Sequence, residues 1–125
     1  MPLHAIRSDK LSPPVGPFSQ AIHSGDLIFF SGQVGLTADG KLVDGGVAAE
    51  ARQVFANLAA VLDAAGKSFA DVVRVGVFLT DMGDFAAINA EYARHFTEPY
   101  PARTTIAVAA LPLGARVEID MVVKS

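Results

Sequence analysis

The chain has 125 residues, of which 51% are hydrophobic and 18% are charged, and its formal net charge is −3. This length and composition are typical of one globular domain, which we predict over residues 1–125. The charges form no basic block, which argues against nucleic-acid binding. Cysteine is absent, which excludes thiolate and disulfide chemistry. No apolar stretch reaches the roughly 20 residues that span a bilayer, which argues against membrane insertion. The N-terminus lacks the long apolar segment of a secretory signal, so we expect a cytoplasmic protein.

The first half of the chain predicts a loop, a β-hairpin and a long helix. Three prolines and a glycine exclude a helix from the loop. Gly25 and Asp26 separate two short β-like runs, as in a hairpin turn. Apolar residues recur at helical spacing from Val47, and Gly66 can end that helix. The predicted elements are a loop over residues 11–17, strands over residues 19–24 and 27–31, a turn region over residues 36–46 and a helix over residues 47–65.

The second half predicts a strand, a second helix and two further strands. β-branched residues dominate the strand over residues 72–80. Asp84 can cap the second helix, whose apolar stripe covers residues 85–96. Two strands over residues 103–110 and 115–124 follow, joined by Leu-Pro-Leu-Gly as a second hairpin. This order of elements favours an α+β fold with a mixed sheet and both helices on one face.

The other face of that sheet would be left uncovered. On the last strand, Glu118 and Asp120 alternate with apolar residues that we expect to meet the helices. On the preceding strand, Thr104 and Ile106 belong to the apolar set, which places Arg103 on the opposite face. The uncovered face is then small, partly apolar and dotted with charges, as is typical of a subunit interface or a ligand surface. We therefore expect an oligomer with sites between its subunits.

Arg103 is the candidate carboxylate-binding residue. It follows Tyr100-Pro101-Ala102, a rigid segment at the start of a predicted strand. Its planar, permanently charged guanidinium matches a carboxylate through two parallel hydrogen bonds. The alternative is a surface arginine that pairs with an aspartate or glutamate of the same chain.

Three other residues are unusual for their place in the pattern. Glu118 lies within an apolar strand, where a carboxylate needs a partner, a raised pKa or access to water. A salt bridge to Arg103 or Arg116 is the structural alternative. Asn89 interrupts the apolar stripe of the second helix, either as a satisfied core amide or as a group that reaches a pocket. Gly32 can mark a strand position where the backbone approaches a ligand, since the glycines match no phosphate-binding motif.

The three histidines, His4, His23 and His95, receive no role. Their spacing matches no metal site, and no paired carboxylate lies close to them in the sequence. We therefore predict no metal site. Without a histidine pair, acid–base cleavage of RNA also lacks candidate residues.

Six short segments carry a resemblance to a known family, because their residues and their order along the chain agree together. They are Gly16-Pro17-Phe18-Ser19-Gln20-Ala21, Phe30-Ser31-Gly32-Gln33, Asn89-Ala90-Glu91-Tyr92, Pro101-Ala102-Arg103-Thr104-Thr105, Leu111-Pro112 and Val117-Glu118-Ile119. With them the chain resembles, over essentially its whole length, the reactive intermediate (enamine/imine) deaminase family, also called RidA or YjgF-like.

This resemblance implies a fold and a reaction. The expected fold is a chorismate-mutase-like mixed sheet with two helices on one face, assembled as a homotrimer with three clefts between subunits. The expected reaction is hydrolysis of reactive 2-imino acids, such as 2-iminobutanoate and 2-iminopropanoate, to 2-keto acids and ammonia. No cofactor is required, and the role would be control of metabolite damage caused by intermediates that escape from pyridoxal-phosphate dehydratases.

The resemblance also implies roles for individual residues. Arg103 and Glu118 are the expected catalytic residues, one binding the substrate carboxylate and the other orienting or deprotonating water. The expected substrate-binding residues are Phe18, Ser31, Gly32, Asn89 and Thr105. Two of these depart from the common family pattern: Phe18 stands where many members have tyrosine, which removes a hydroxyl, and Thr105 stands where many have cysteine, which removes a thiol.

Two other functions are alternatives to the deaminase. The same clefts could bind keto acids or other small carboxylates without turnover, as a sensing or regulatory protein. Some members of the family have also been described as endoribonucleases or translation inhibitors. The net charge of −3 and the absence of a basic stripe argue against the latter.

Overall fold

The computed structural model describes residues 2–125 and contains a six-stranded sheet and two α-helices, which confirms the predicted α+β class. Short 3₁₀ turns connect several of the elements. The strands and helices are β1 (His4–Ile6), β2 (Ala21–Ser24), β3 (Leu27–Gln33), α1 (Gly46–Ala64), β4 (Val72–Leu79), α2 (Phe85–Tyr92), β5 (Ala102–Ala107) and β6 (Val117–Lys124).

The strand order is β1-β2-β3-β6-β4-β5, and only the β4–β5 pair is parallel. The predicted hairpin between the last two strands is therefore wrong, because β4 lies between them. The connection contains the 3₁₀ turn Pro112–Gly114, in which Leu113 has a left-handed φ of 60°. β6 thus enters the centre of the sheet, where it forms antiparallel ladders with both β3 and β4 and buries its apolar side.

The core lies between the helices and one face of the sheet. Along β6, buried and half-buried residues alternate as predicted from the sequence. Helix α1 ends as predicted, since Gly66 has a φ of 70° and the Lys67 N–H donates to the Leu62 carbonyl at 2.9 Å. The core residues of α1 and the central strands include Val54, Phe55, Leu58, Val61, Leu62, Val75, Val77, Leu79, Val117, Ile119 and Met121.

Two local predictions differ from the structure. Val73 is 42% exposed instead of sharing the core face of β4, because the β4–β6 register shifts between Val72 and Arg74. The side chain that caps the turn before α2 is Asp81, which accepts from the Gly83 N–H at 2.8 Å, and not Asp84. Within residues 2–125, no helix is long and apolar enough to cross a membrane.

The predicted faces of β5 are reversed. Arg103 pairs with Val75 and Thr105 pairs with Val77, and both valines belong to the core, so these β5 residues point toward the helices. Ile106, which we expected in the core, is 44% exposed on the other face. β5 is an edge strand, so its own apolar pattern decides its orientation less than its pairing with β4 does. From here on, the uncovered side of the sheet is called the open face.

Candidate active site

The Arg103 guanidinium lies over aromatic rings of α2. Its Cζ is 4.6 Å from the centroid of the Tyr92 ring and 5.6 Å from that of Phe85. Both distances are within cation–π range, so the rings hold the planar guanidinium in place without neutralising its charge. The alternative of a surface ion pair is not borne out, because no carboxylate within residues 2–125 lies at ion-pair distance from Arg103.

A cavity of about 350 Å³ opens beside this guanidinium. Asn89 lies on α2, half-buried, and takes part in the wall. The cavity therefore combines an unpaired cation, an amide and aromatic surface, which suits a small organic anion. Its lining residues are Asn89, Tyr92, Ala93, Tyr100, Pro101 and Arg103.

Two buried hydroxyls close to Arg103 in the fold have no hydrogen-bond partner among the described residues. They belong to Tyr92 and to Thr105, which stands two residues after Arg103 on β5. Burial raises the pKa of Tyr92, and the positive charge of Arg103 opposes that rise. Buried hydroxyls without partners are unusual and often mark a place where water or a ligand binds. Tyr92 belongs to one of the family motifs but was not among the predicted site residues, although its spacing of three from Asn89 puts both on one side of α2.

Glu118 lies on the open face, against the backbone of Gly32. A β-bulge makes this approach possible, because Ser31 and Gly32 together stand opposite the single residue Asp120. A Cβ atom added to Gly32 would overlap the Glu118 carboxylate, ending 2.8 Å from its Cδ. Glycine is therefore required at position 32 for the observed position of Glu118. The close neighbour is a side chain of the same chain, and the approach of a ligand to this glycine stays a prediction.

The Glu118 carboxylate is only partly solvated and has no ion-pair partner within residues 2–125. Burial raises its pKa, and the negative charge of Asp120 raises it further. Burial also raises the pKa of Asp120, where the Gly76 N–H and the Arg74 charge act in the opposite direction. A half-buried carboxylate with a raised pKa is a suitable general base, because it holds a proton more firmly than an ordinary glutamate does.

The predicted salt-bridge alternative for Glu118 is wrong. Arg103 lies on the other face of the sheet, and Arg116 pairs with Glu50 through Nη1 and Oε2 at 2.8 Å. Glu50, a buried residue of α1, had not been identified from the sequence. No local pattern could have identified the pair, because its members are 66 positions apart in the chain.

Phe18 and Ser31 are joined through the loop before β2. The Ser31 hydroxyl donates to the Ser19 carbonyl at 2.6 Å, and the Ser31 N–H donates to the Gln20 carbonyl at 3.0 Å. The Phe18 side chain is 52% exposed at the surface of this loop. Ser31 thus supports the segment that carries Phe18, while the Phe18 ring is free to contact other molecules.

One chain therefore does not bring all the predicted site residues together. Arg103, Asn89 and Thr105 belong to the helix side near the β5 edge. Glu118 and Gly32 belong to the open face. Side chains on opposite faces of one sheet cannot contact the same small molecule, so a site that uses both groups needs a second copy of the chain.

The histidines differ from the expectation in two respects. His95 has a nearby carboxylate after all, since its Nε2 is 2.7 Å from Glu91 Oε2, and its ring stacks on Phe55. His4 and His23 are cross-strand neighbours on β1 and β2, with ring centroids 6.4 Å apart. Within residues 2–125, no group of three or more potential ligands is arranged to hold a metal ion.

Comparison with known proteins places the chain among relatives of similar length. A family model described as Endoribonuclease L-PSP matches residues 9–125. A mouse protein named 2-iminobutanoate/2-iminopropanoate deaminase is 46% identical over 118 residues, covering 94% of this chain and 87% of its own. The human protein of the same name is 43% identical, covering 94% and 86%. Protein DfrA of Myxococcus xanthus is 48% identical, covering 97% and 95%.

Solved structures show the same fold. RidA from an Antarctic Psychrobacter superimposes with a TM-score of 0.92 at 42% identity, covering 98% of this chain and 99% of its own. E. coli TdcF with bound serine superimposes with a TM-score of 0.90 at 31% identity, covering 98% of both chains. The chain belongs to the RidA/YjgF family, as its motifs predicted.

Proposed function

We propose that this protein is a 2-iminobutanoate/2-iminopropanoate deaminase, which hydrolyses 2-imino acids to 2-keto acids and ammonia. The observation that carries the proposal is the Arg103 guanidinium, which is held over Tyr92 and open to a cavity, with no carboxylate of the described residues at ion-pair distance. Several relatives at 43–46% identity bear this enzyme name. The E. coli relative was solved with serine, a small ligand that carries the kind of carboxylate expected at Arg103.

The chemistry needs a carboxylate clamp and a base. Arg103 binds the substrate carboxylate, which fixes the adjacent imine carbon. Glu118 removes a proton from water while the water oxygen bonds to that carbon, and the C=N electron pair moves to nitrogen. Glu118 then returns the proton to the amino nitrogen. As the C–N bond breaks, the proton of the new hydroxyl passes through Glu118 to the leaving nitrogen, so that both protons of the water end on nitrogen and a keto acid and ammonia leave. The remaining site residues, Phe18, Ser31, Gly32, Asn89 and Thr105, would shape the pocket.

The proposed assembly is a homotrimer of single-domain chains spanning residues 1–125, with one cleft at each interface. In each cleft, Arg103 of one subunit would meet Glu118 and Gly32 of the next. The opposite-face positions of these residues within one chain support this arrangement. The uncovered, partly apolar open face supports it too, since Phe29 is 47% exposed there. The enzyme would work without a cofactor in the cytoplasm and limit damage by reactive imines.

The test is a competition for the imine. An amino-acid oxidase generates 2-iminobutanoate or 2-iminopropanoate, semicarbazide traps it, and an active deaminase lowers semicarbazone formation. Arg103→Ala should reduce kcat/KM by about 10³-fold, since removing one partner of a desolvated charge pair costs about 4 kcal/mol. Arg52→Ala, an exposed arginine on α1, is the matched control. Near-normal activity of the Arg103 variant would overturn the assignment.

Mixed oligomers test the shared cleft. Arg103→Ala and Glu118→Ala subunits, each inactive alone, are unfolded together and refolded at equal amounts. If each cleft joins two subunits, about a quarter of wild-type activity should return, because that share of interfaces pairs two intact residues in a random trimer. If both residues served one subunit's own site, no mixture would regain activity.

A non-catalytic protein that binds small carboxylates is the main alternative. It shares the Arg103 site but needs no base. Two results together would establish this alternative. The wild-type protein would bind keto acids in a way that depends on Arg103, and it would leave semicarbazone formation unchanged.

RNA cleavage is a second, less supported function. The description of the matched family and the His4–His23 pair favour it. The net charge of −3 opposes it, and so does the engagement of His23 Nε2, which lies 2.8 Å from Ser125 Oγ. Cleavage of single-stranded RNA that disappears in His4→Ala would establish this activity.

A further inference from the structure

Glu50 is a fully buried carboxylate in the first turns of α1. Its exposure is 0%, and both of its oxygens accept hydrogen bonds from one residue, Arg116. The Arg116 backbone N–H donates to Oε1 at 2.7 Å, and the guanidinium Nη1 donates to Oε2 at 2.8 Å. A charge buried this completely would be destabilising without such partners, so the pair specifies one arrangement of the two segments.

The partner of Glu50 stands at the entrance to β6. Arg116 immediately precedes β6, and its carbonyl accepts from the Thr80 N–H at 3.2 Å. Its backbone is thus held on both sides, by α1 and by the residue after β4. Glu118 follows two positions later in the chain, as the second residue of β6. The direction in which the chain leaves Arg116 therefore determines where the Glu118 carboxylate lies.

Glu50 also contacts the segment on the other side of Glu118. A Cβ added to Gly35 would come within 3.0 Å of both Glu50 Cα and its backbone oxygen, so this segment packs directly on the helix backbone at Glu50. Gly35 stands three residues after Gly32, the residue on which the Glu118 carboxylate lies. One turn of α1 therefore fixes both the strand that carries the carboxylate and the segment that receives it.

We infer that Glu50 is a positioning residue for the deaminase reaction: by holding Arg116 and packing on Gly35, it keeps the Glu118 carboxylate over Gly32. This inference rests on the proposed function. Within the described residues, no side-chain hydrogen bond fixes the Glu118 carboxylate. Its position therefore depends on the backbone of β6 that carries it and on the backbone at Gly32 that it contacts. Glu50 touches neither Arg103 nor its cavity, so it should affect the chemical step and not carboxylate binding.

The test compares Glu50→Gln with a matched variant of the same helix, Asn57→Ala. Asn57 is also buried and donates to the Val34 and Leu36 carbonyls of the same segment, but none of its hydrogen bonds reaches Arg116 or β6. Glu50→Gln should lower kcat by about 10-fold or more while KM changes less than about twofold, since misplacing a catalytic group by 1 Å can reduce rates by about 10²-fold. Asn57→Ala should lower thermal stability and should lower kcat per folded molecule less than Glu50→Gln does, because Arg116 keeps both of its hydrogen bonds to Glu50.

The outcomes separate this inference from the proposed function. If wild type and Asn57→Ala are active and Glu50→Gln is equally active, the positioning role is overturned and the function stands. If Glu50→Gln does not fold, Arg116→Ala, which keeps the backbone hydrogen bond and loses the guanidinium, must show the same fall in kcat at constant KM. If wild type is inactive, the proposed function fails. A crystal structure of the Glu50 variant then decides the positioning role, which is overturned if Glu118 still lies on Gly32.

Discussion

Two glutamates of this protein lie against a glycine backbone, and their surroundings differ in almost every other respect. Glu50 packs at Gly35, is fully buried, and has both carboxylate oxygens hydrogen-bonded to Arg116. Glu118 packs at Gly32, is half-buried, and has no partner within residues 2–125. A satisfied buried carboxylate organises structure, whereas a partly desolvated carboxylate without partners is reactive. The difference separates a structural from a chemical role for the same residue type.

The largest expected effect is on folding. Glu50→Ala should lower the free energy of unfolding by about 3 kcal/mol, because it leaves the Arg116 N–H without its acceptor and removes a fully buried side chain that also pairs with the half-exposed Arg116 guanidinium. Glu118→Ala should not lower it. Denaturant unfolding of both variants measures this contrast, which fails if the two variants are equally destabilised.

Alanine substitutions of Gly32 and Gly35 should differ in their effects on activity and on stability. Gly32→Ala should lower activity by about 10²-fold with little loss of stability, because the flexible Glu118 side chain can move away from the new methyl group and is then misplaced. Gly35→Ala should mainly lower stability, because its methyl group meets helix backbone that cannot yield. Imine-trapping rates and thermal melts are measured on both variants. Equal effects on activity would remove the distinction between the two sites.

The pH dependence of catalysis should reveal the surroundings of Glu118. A general base must be deprotonated, so activity should be lost as the pH is lowered through the pKa of Glu118. Because burial and the charge of Asp120 raise this pKa, the loss should begin at a higher pH than for an ordinary glutamate. Asp120→Asn removes one of the two causes and should shift the acidic limb of kcat/KM to lower pH. Asp63→Asn, on the exposed side of α1, is the control. If Asp120→Asn does not change the pH of the acidic limb of kcat/KM, this result would argue against Glu118 as the base.

The smallest effect is on thermal stability. Because the pKa of Glu118 is raised in the folded protein, folding favours the protonated form, and the ionised form lowers stability at neutral pH. Glu118→Gln should therefore raise the melting temperature slightly at neutral pH. The gain should vanish below the ordinary glutamate pKa, where wild type is also protonated. Glu50→Gln should show no such gain, since both oxygens of Glu50 accept hydrogen bonds from Arg116, and glutamine has only one oxygen to accept them.

The elements with strong local patterns were predictable. Helix α1 and the alternation of β6 follow from the spacing of apolar residues, and the family motifs contain both proposed catalytic residues, Arg103 and Glu118. The orientation of β5 was not predictable, because Thr104 and Ile106 look like a core stripe although they lie on the open face. On an edge strand, the register with the neighbouring strand decides which residues are buried.

The sequence by itself determined which residues are apolar, where helices and strands can form, and which side chains have the chemistry to bind a carboxylate or activate water. Only the tertiary structure decided that β6 lies between β3 and β4, that Glu50 reaches Arg116, and that Arg103 and Glu118 occupy opposite faces. The spacing of apolar residues along the chain predicts which side of a single helix or strand is buried. Strand pairing and the ion pair of Glu50 with Arg116 join distant segments, and they depend on how the whole chain satisfies its hydrogen bonds while burying its apolar surface.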